Sequence, residues 1–389
     1  MPSTAPITDD PLLFDKLLAP IEATLQQLNA ESLSQAAKKL RFRLFVRVLL
    51  FRLFAQIKSL GLLVVDLQTA PSARCLGLPR LGLSTLHDAF ARYPHAWFVQ
   101  LTQAVLAQGV LTTLPELAVF GPLGCVDSSW WPLVRQLGWL QRAGFQGLRL
   151  HLGLSLNHLC PAAFLLSYDK SPTSTERTSL LALVEAGVTY LADRGYVSVP
   201  LYRDLMERGA YVVIRERHTL RYRVLAALDL TVDGLVTAGR LRVVQDAVIP
   251  LTRGEVPTVL RLVEFWCGTH RFLVVTNRFD LSTAQIIRLY AWRWQVELLF
   301  RAWKHTLGAL HLVNLSEHGI ALQFQVLLLA SLLWARRRQE TTQRAAASGD
   351  GTRRAPQTTG RRTLTGRLSQ VFGSAGACAK RPCAWCATV

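Results

Sequence analysis

The hydrophobic period changes near Val119, and that change constrains the fold more than any other feature of the chain. Before it, over residues 12–66, apolar residues recur at intervals of three and four, the spacing of helices packed on one face. Pro71, Gly77, Pro79 and Gly82 mark 66–82 as a connector. Further helices are expected over 84–94 and 96–108, and Ser32 is placed to cap a helix starting near Leu33. After Val119 the pattern is that of strands. One runs up to Asp127, and GLRLHLGLSLN (147–157) and AAFLLSYD (162–169) form a hairpin turning at Cys160 and Pro161. A helix over 175–186, a short strand over 188–192, a helix over 200–208 and the strand AYVVIRER follow. Strands alternating with helices make a mixed sheet with helices packed on it, an α/β fold.

Residues 218–276 differ again. LRYRVL, RLRVVQDAVI, VLRLVEFW and RFLVVTN are strand-like, with Gly and Asp turns between and no long helical pattern. This reads as a β-rich insertion into the α/β domain. Ser282 then caps a long helix from Thr283 to His305, Gly308 stops it, and 317–338 is a last core helix. The expected organisation is a helical N-terminal domain (1–115), an α/β domain (116–335) and a basic flexible C-terminal tail (336–389).

Charge indicates the kind of partner. Across 389 residues, 44 basic against 26 acidic side chains leave a net charge of +18, while half of all residues are apolar. A folded, strongly positive chain points to a polyanion, nucleic acid before membrane surface. The excess is uneven: +3 over 1–120, +6 over 121–335 and +9 over the last 54 residues. The tail attracts DNA without reading its sequence. Basic residues over 40–58 either touch DNA or belong to a packed amphipathic helix.

Other classes find little support. The start, MPSTAPITDDPLLFD, lacks a basic segment followed by an apolar core, and seven cysteines is an odd number, so reduced thiols in a cytoplasm are expected. The apolar run 319–335 is short, contains Gln323 and Gln325, and reads as a buried core helix rather than a membrane span. Cys378, Cys383 and Cys386 give only a partial zinc pattern and read as free thiols. With no Gly-rich phosphate loop and no H-E-x-x-H, neither ATP use nor a protease-type zinc site is indicated.

The acids carry the chemistry. Asp127 follows GCV, and Asp193 follows TYLA and precedes Arg194 and Gly195. An acid at the carboxyl end of a buried strand is a frequent ligand position and a frequent turn residue. The helix STAQIIRLYAWRWQVELLFRAWKH adds Tyr290, Arg293, Glu297 and Lys304. At about 100° per residue these four fall within an arc of about 60° on an unbroken helix. Arg293 and Glu297 make a plain i,i+4 ion pair on one reading. On the other, Glu297 joins the two aspartates as a three-carboxylate Mg²⁺ site with cations held over neighbouring phosphates.

At these residues the chain resembles the DDE transposases of bacterial insertion sequences, in the group with a Tyr-Arg-Glu-Lys signature. The pattern Y-x2-R-x3-E-x6-K is matched at every spacing by YAWRWQVELLFRAWK, and VVTNRFDLST and ADRGY resemble the flanking segments. One departure is Ser128, where the family usually has Gly after the first acid. The resemblance implies an RNase H-like catalytic domain interrupted by the β-insertion. Asp127, Asp193 and Glu297 would be its catalytic, metal-binding residues, with two Mg²⁺ ions that Mn²⁺ can replace. Tyr290, Arg293 and Lys304 would contact DNA, as would Trp266, where relatives place a base-stacking tryptophan. The implied partners are double-stranded DNA at terminal inverted repeats and target DNA, bridged by a homodimer with no membrane involved, on the bacterial nucleoid. The implied reaction is hydrolysis at element ends, then transesterification of the 3′-OH into target DNA. Two other readings fit the same residues: a DNA-binding remnant without turnover, and a nuclease of similar fold without strand transfer.

Overall fold

The computed structural model describes residues 10–31, 40–108, 113–131, 138–142, 144, 147–169, 176–230, 241–252, 257–307 and 311–347. The expected cap at Ser32, the helix stop at Gly308, the C-terminal cysteines and the tail beyond 347 lie outside them. The chain divides into two compact units, one drawing on residues before Thr113 and after Leu298, the other on Thr113–Leu298.

The first unit is helical. It contains α1 (Pro11–Leu18), α2 (Glu22–Glu31), α3 (Phe42–Phe54), α4 (Leu60–Thr69), α5 (Pro71–Cys75), α6 (Leu83–Arg92) and α7 (His95–Ala107). The expected connector at 66–82 is thus partly helical. Pro71 opens α5 at a position where a missing N–H costs nothing, so it starts a helix rather than breaking one. In α3, Phe42 and Phe45 pack against Tyr93 and Phe98 with ring centroids 5.2–6.2 Å apart. Its arginines are engaged within the unit. Arg43 pairs with Glu22 and Arg47 with Asp15, each at 2.8 Å, and buried Arg52 donates to the His311 carbonyl at 2.5 Å. That arrangement favours the packed-helix reading of 40–58.

A long helix, Glu317–Ala347, completes this unit and packs on α1, α3, α6 and α7. It runs past the expected end at 338. The expected α/β segment 116–335 is therefore divided, because the apolar period of a helix does not say which surface it packs on. Among the described residues this one helix is long and apolar enough to cross a membrane, but 89% of its apolar stretch is buried inside the protein. Its glutamines find partners in that core. Gln325 donates to the Thr102 hydroxyl at 2.7 Å, and Gln323 donates to the Asn314 and Gly319 carbonyls.

The second unit is built on a sheet. Its elements are α8 (Pro115–Ala118), β1 (Leu123–Trp131), α9 (Gly138–Arg142), β2 (Gly147–Ser155), β3 (Cys160–Asp169), α10 (Glu176–Leu183), β4 (Thr189–Ala192), α11 (Val199–Glu207), β5 (Tyr211–Arg215), β6 (Ala226–Ala227), β7 (Leu241–Leu251), β8 (Thr258–Cys267), β9 (His270–Thr276), α12 (Thr283–Ala291) and the first part of α13 (Trp294–Arg301), up to Leu298. The nine strands lie in the order β3-β2-β1-β4-β5-β9-β8-β7-β6. β1, β4 and β5 are parallel, and every other pairing is antiparallel. Strands from 218–276 thus continue the same sheet through β9. One face packs on α10 and α11 through Val126, Leu180, Tyr190, Leu201, Leu205, Val212 and Leu262. Gly124 is required here, since a Cβ would lie 2.7 Å from the Tyr190 ring. The opposite face meets α12: Phe272 lies 6.4 Å from Tyr290, ring to ring.

Several local expectations need correction. β1 does not end at Asp127 but runs to Trp131. The β2–β3 turn is at residues 156–159, with Leu159 at φ 48°, and Cys160 and Pro161 already lie in β3. LRYRVL is not a strand. Its Tyr222 instead donates to Gln245 and Glu264. The single helix over 283–305 is interrupted at Trp292 and Arg293, then becomes a π-helix over Ala302–Thr306.

Candidate active site

Register brings the two aspartates together. In the parallel pair β1–β4, Cys125 lies opposite Leu191. Asp127 and Asp193 each follow by two residues, so they extend the same row, and side chains two apart on a strand share a face. Cys125 identifies that face, because its thiol lies 3.6 Å from the Arg293 carbonyl on the α12 side. Asp193 sits one residue past β4, where the chain turns into the short helix Arg194–Tyr196.

The helices bring the other groups. Ser282 and Gln285 form a reciprocal capping box that fixes the start of α12. At its end the N–H groups of Trp292, Arg293, Gln295 and Val296 each bond three residues back rather than four. This tighter winding turns the chain by about 120° per residue in place of about 100°. The four signature residues are therefore not one stripe on a straight helix. Tyr290, Arg293 and Glu297 still converge on the aspartates. The Tyr290 hydroxyl donates to Asp193 Oδ1 at 3.5 Å. Arg293 Nη2 lies 2.5 Å from Glu297 Oε1, and its Nη1 lies 3.9 Å from Asp127 Oδ2.

The electrostatics follow from this packing. Asp127, its side chain 21% exposed, has a carboxyl pushed up to about 7. Burial is the main cause and the charges of Glu297 and Asp193 add to it, while Arg293 and the Ser128 N–H at 2.8 Å oppose it. Burial works against the charge on Arg293, yet Tyr290, Glu297 and Asp193 raise its pKa above the ordinary value. Burial also raises the Tyr290 phenol, so it remains a hydrogen-bond donor. Ser128, the departure from Asp-Gly, accepts a hydrogen bond from Arg149 at 2.9 Å, and that guanidinium lies over the Trp130 ring.

Two further candidates lie on other elements. Trp266 lies on β8 beneath Arg242, 5.8 Å from its guanidinium. Strand alternation sends it to the face opposite Phe265, which stacks on Phe272 beside Tyr290, so it is not on the face of the acids. Lys304 is half-buried on the π-helical segment Ala302–Thr306, which belongs to the helical unit.

A family model for the transposase DDE domain matches residues 120–333, which hold every candidate residue named above. The chain is a member of the DDE transposase family. A relative from Sinorhizobium fredii, "Putative transposase y4zB", is 27% identical over 260 residues, covering 65% of this chain and 70% of the relative. A solved piggyBac transposase synaptic complex with hairpin DNA is 12% identical, with a TM-score of 0.43, covering 94% of this chain and 79% of that one.

In this insertion-sequence-type transposase, the register also shows a neighbour that the sequence reading missed. Leu191 lies opposite Val213 in the parallel pair β4–β5, so Arg215 extends the row Asp127–Asp193 by one more strand. A basic residue ending a short apolar strand gives no signal until the register is known.

Among the described residues, no three His, Cys, Asp or Glu side chains gather closely enough to hold one metal ion. Glu297 is paired instead with Arg293. The donor set nevertheless suits a hard divalent cation: all three acids offer oxygen, and the Asp127 carboxyl, raised mainly by burial, is raised further by Glu297 and Asp193, whose repulsion such an ion would offset.

Proposed function

We propose that this chain is a Mg²⁺-dependent DNA transposase of the Tyr-Arg-Glu-Lys group, cutting element ends and joining the freed 3′-OH to target DNA. The observation that carries the proposal is the level register of Asp127 and Asp193, with Glu297 tied to Asp127 through Arg293. The strand order β3-β2-β1-β4-β5, with β1, β4 and β5 parallel, supports an RNase H-like core. On this reading β6–β9 are the insertion before the glutamate helix.

Asp127, Asp193 and Glu297 would hold two Mg²⁺ ions, with Mn²⁺ able to substitute. When bound, the ions supply a lowered pKa for the attacking water or 3′-OH and charge stabilisation for the leaving oxygen. Glu297 would exchange Arg293 for that role, freeing the guanidinium for a DNA phosphate. Tyr290, held protonated, orients Asp193 by its hydrogen bond. Lys304 adds a cation for the terminal nucleotides. Two protomers would bridge two ends.

A precut element end supplied with target plasmid and Mg²⁺ tests the proposal. Joined product supports it. Cleavage without joining identifies a nuclease, and binding without either identifies an inactive remnant.

A further inference from the structure

The row of side chains across β1, β4 and β5 does not stop at the acids. Arg215 stands level with Asp193, two residues past the Leu191–Val213 pair, on the face that meets α12. Its guanidinium lies over the Phe272 ring, 4.4 Å from its centre. Its Nε is buried with no hydrogen-bond partner among the described residues, and none of their carboxylates lies within ion-pair distance of it. A buried, unpartnered guanidinium donor is costly unless a ligand supplies the acceptor.

The surroundings are cationic. Arg194, next to Asp193, is exposed, and exposed His218 lies three residues past Arg215. Burial lowers the His218 pKa, and the charges of Arg215, Arg194 and Arg271 lower it further, so these groups share one field. Arg271 is already bound by Glu264 through two hydrogen bonds at 2.9 and 3.0 Å. Glu216 points away into the core and accepts from Tyr202 at 2.6 Å. Arg215 and Arg194 are thus two cations available to an incoming anion.

We propose that Arg215, flanked by Arg194 and His218, binds a backbone phosphate of the DNA strand next to Asp193. Guanidinium on a rigid aromatic support suits a phosphodiester, which takes two parallel hydrogen bonds from its fork. This site rests on the DNA reading above, but it binds rather than reacts, so it can be tested without chemistry.

The experiment measures binding of the full-length protein to a random-sequence DNA duplex across a salt series in EDTA. Arg215→Ala should lower the slope of log affinity against log salt by about 0.9, the share of one phosphate contact. Arg215→Lys should keep the slope and bind more weakly. Arg208→Ala removes the same charge before β5, at the opposite end of that strand, and should leave the slope unchanged. If Arg215→Ala does not fold, as judged by thermal melting, exposed Arg194→Ala takes its place with the same expected loss. An unchanged slope in a folded variant overturns the phosphate site while leaving the transposase reading intact. A wild-type chain that binds no duplex overturns both.

Discussion

Arg293 pairs with Glu297 at 2.5 Å across one helical turn while its other terminal nitrogen lies 3.9 Å from Asp127. One buried guanidinium thus serves two carboxylates from different elements, a strand and a helix. Burial pushes the Asp127 carboxyl up to about 7; Glu297 and Asp193 add to that rise, and Arg293 opposes it.

A double-mutant cycle on Arg293→Ala and Glu297→Gln should show coupling in thermal stability without DNA or metal. The Glu297 side chain is 30% exposed, so solvent screens the pair, and about 1 kcal/mol is expected. Additive effects would mean that the pair does not form in solution.

Arg261 should matter to the sheet unit far more than its distance along the chain from the acids suggests. It is buried on β8, makes two hydrogen bonds to Asp246 on β7 at 2.6 and 2.8 Å, and donates to the Leu281 carbonyl just before α12. Thr283, in the first turn of α12, donates to the same aspartate at 2.7 Å. Removing the cation strands a buried carboxylate, which costs about 3–5 kcal/mol. Arg261→Ala should therefore lower Tm by on the order of 10 °C. Thr283→Val should cost about 1 kcal/mol. Thermal melts of the two variants check both values and their order.

Lys304→Ala should weaken binding to element-end DNA and lower its salt slope by about 0.9. Cutting at saturating protein should be unchanged if, as proposed, this lysine holds DNA rather than the reacting atoms. Quantitative binding against salt, paired with single-turnover cutting, separates those effects. Loss of cutting at saturation would assign Lys304 to the chemistry instead.

The strand positions of Asp127 and Asp193 were readable because each follows a short apolar run. Their pairing was not, since parallel register depends on which strands meet. The break at Trp292 and Arg293 left no mark either: the segment contains no Pro or Gly, and the tighter winding comes from backbone bonds that no side chain advertises. Pro71 misled in the other direction, suggesting a connector where it opens a helix. LRYRVL has strand-like alternation, but Tyr222 spends its hydroxyl on Gln245 and Glu264. The helix Glu317–Ala347 was legible as a buried helix, whereas its place beside α7 was not, because periodicity shows an apolar face without naming what covers it.

The most direct measurement compares wild type with Glu297→Gln on element-end duplex, scoring binding in EDTA and cutting in Mg²⁺. The account predicts that the variant binds with wild-type affinity and yields no cut strand. Cutting by Glu297→Gln at a rate near that of wild type would contradict the assignment of Glu297 to the reacting centre.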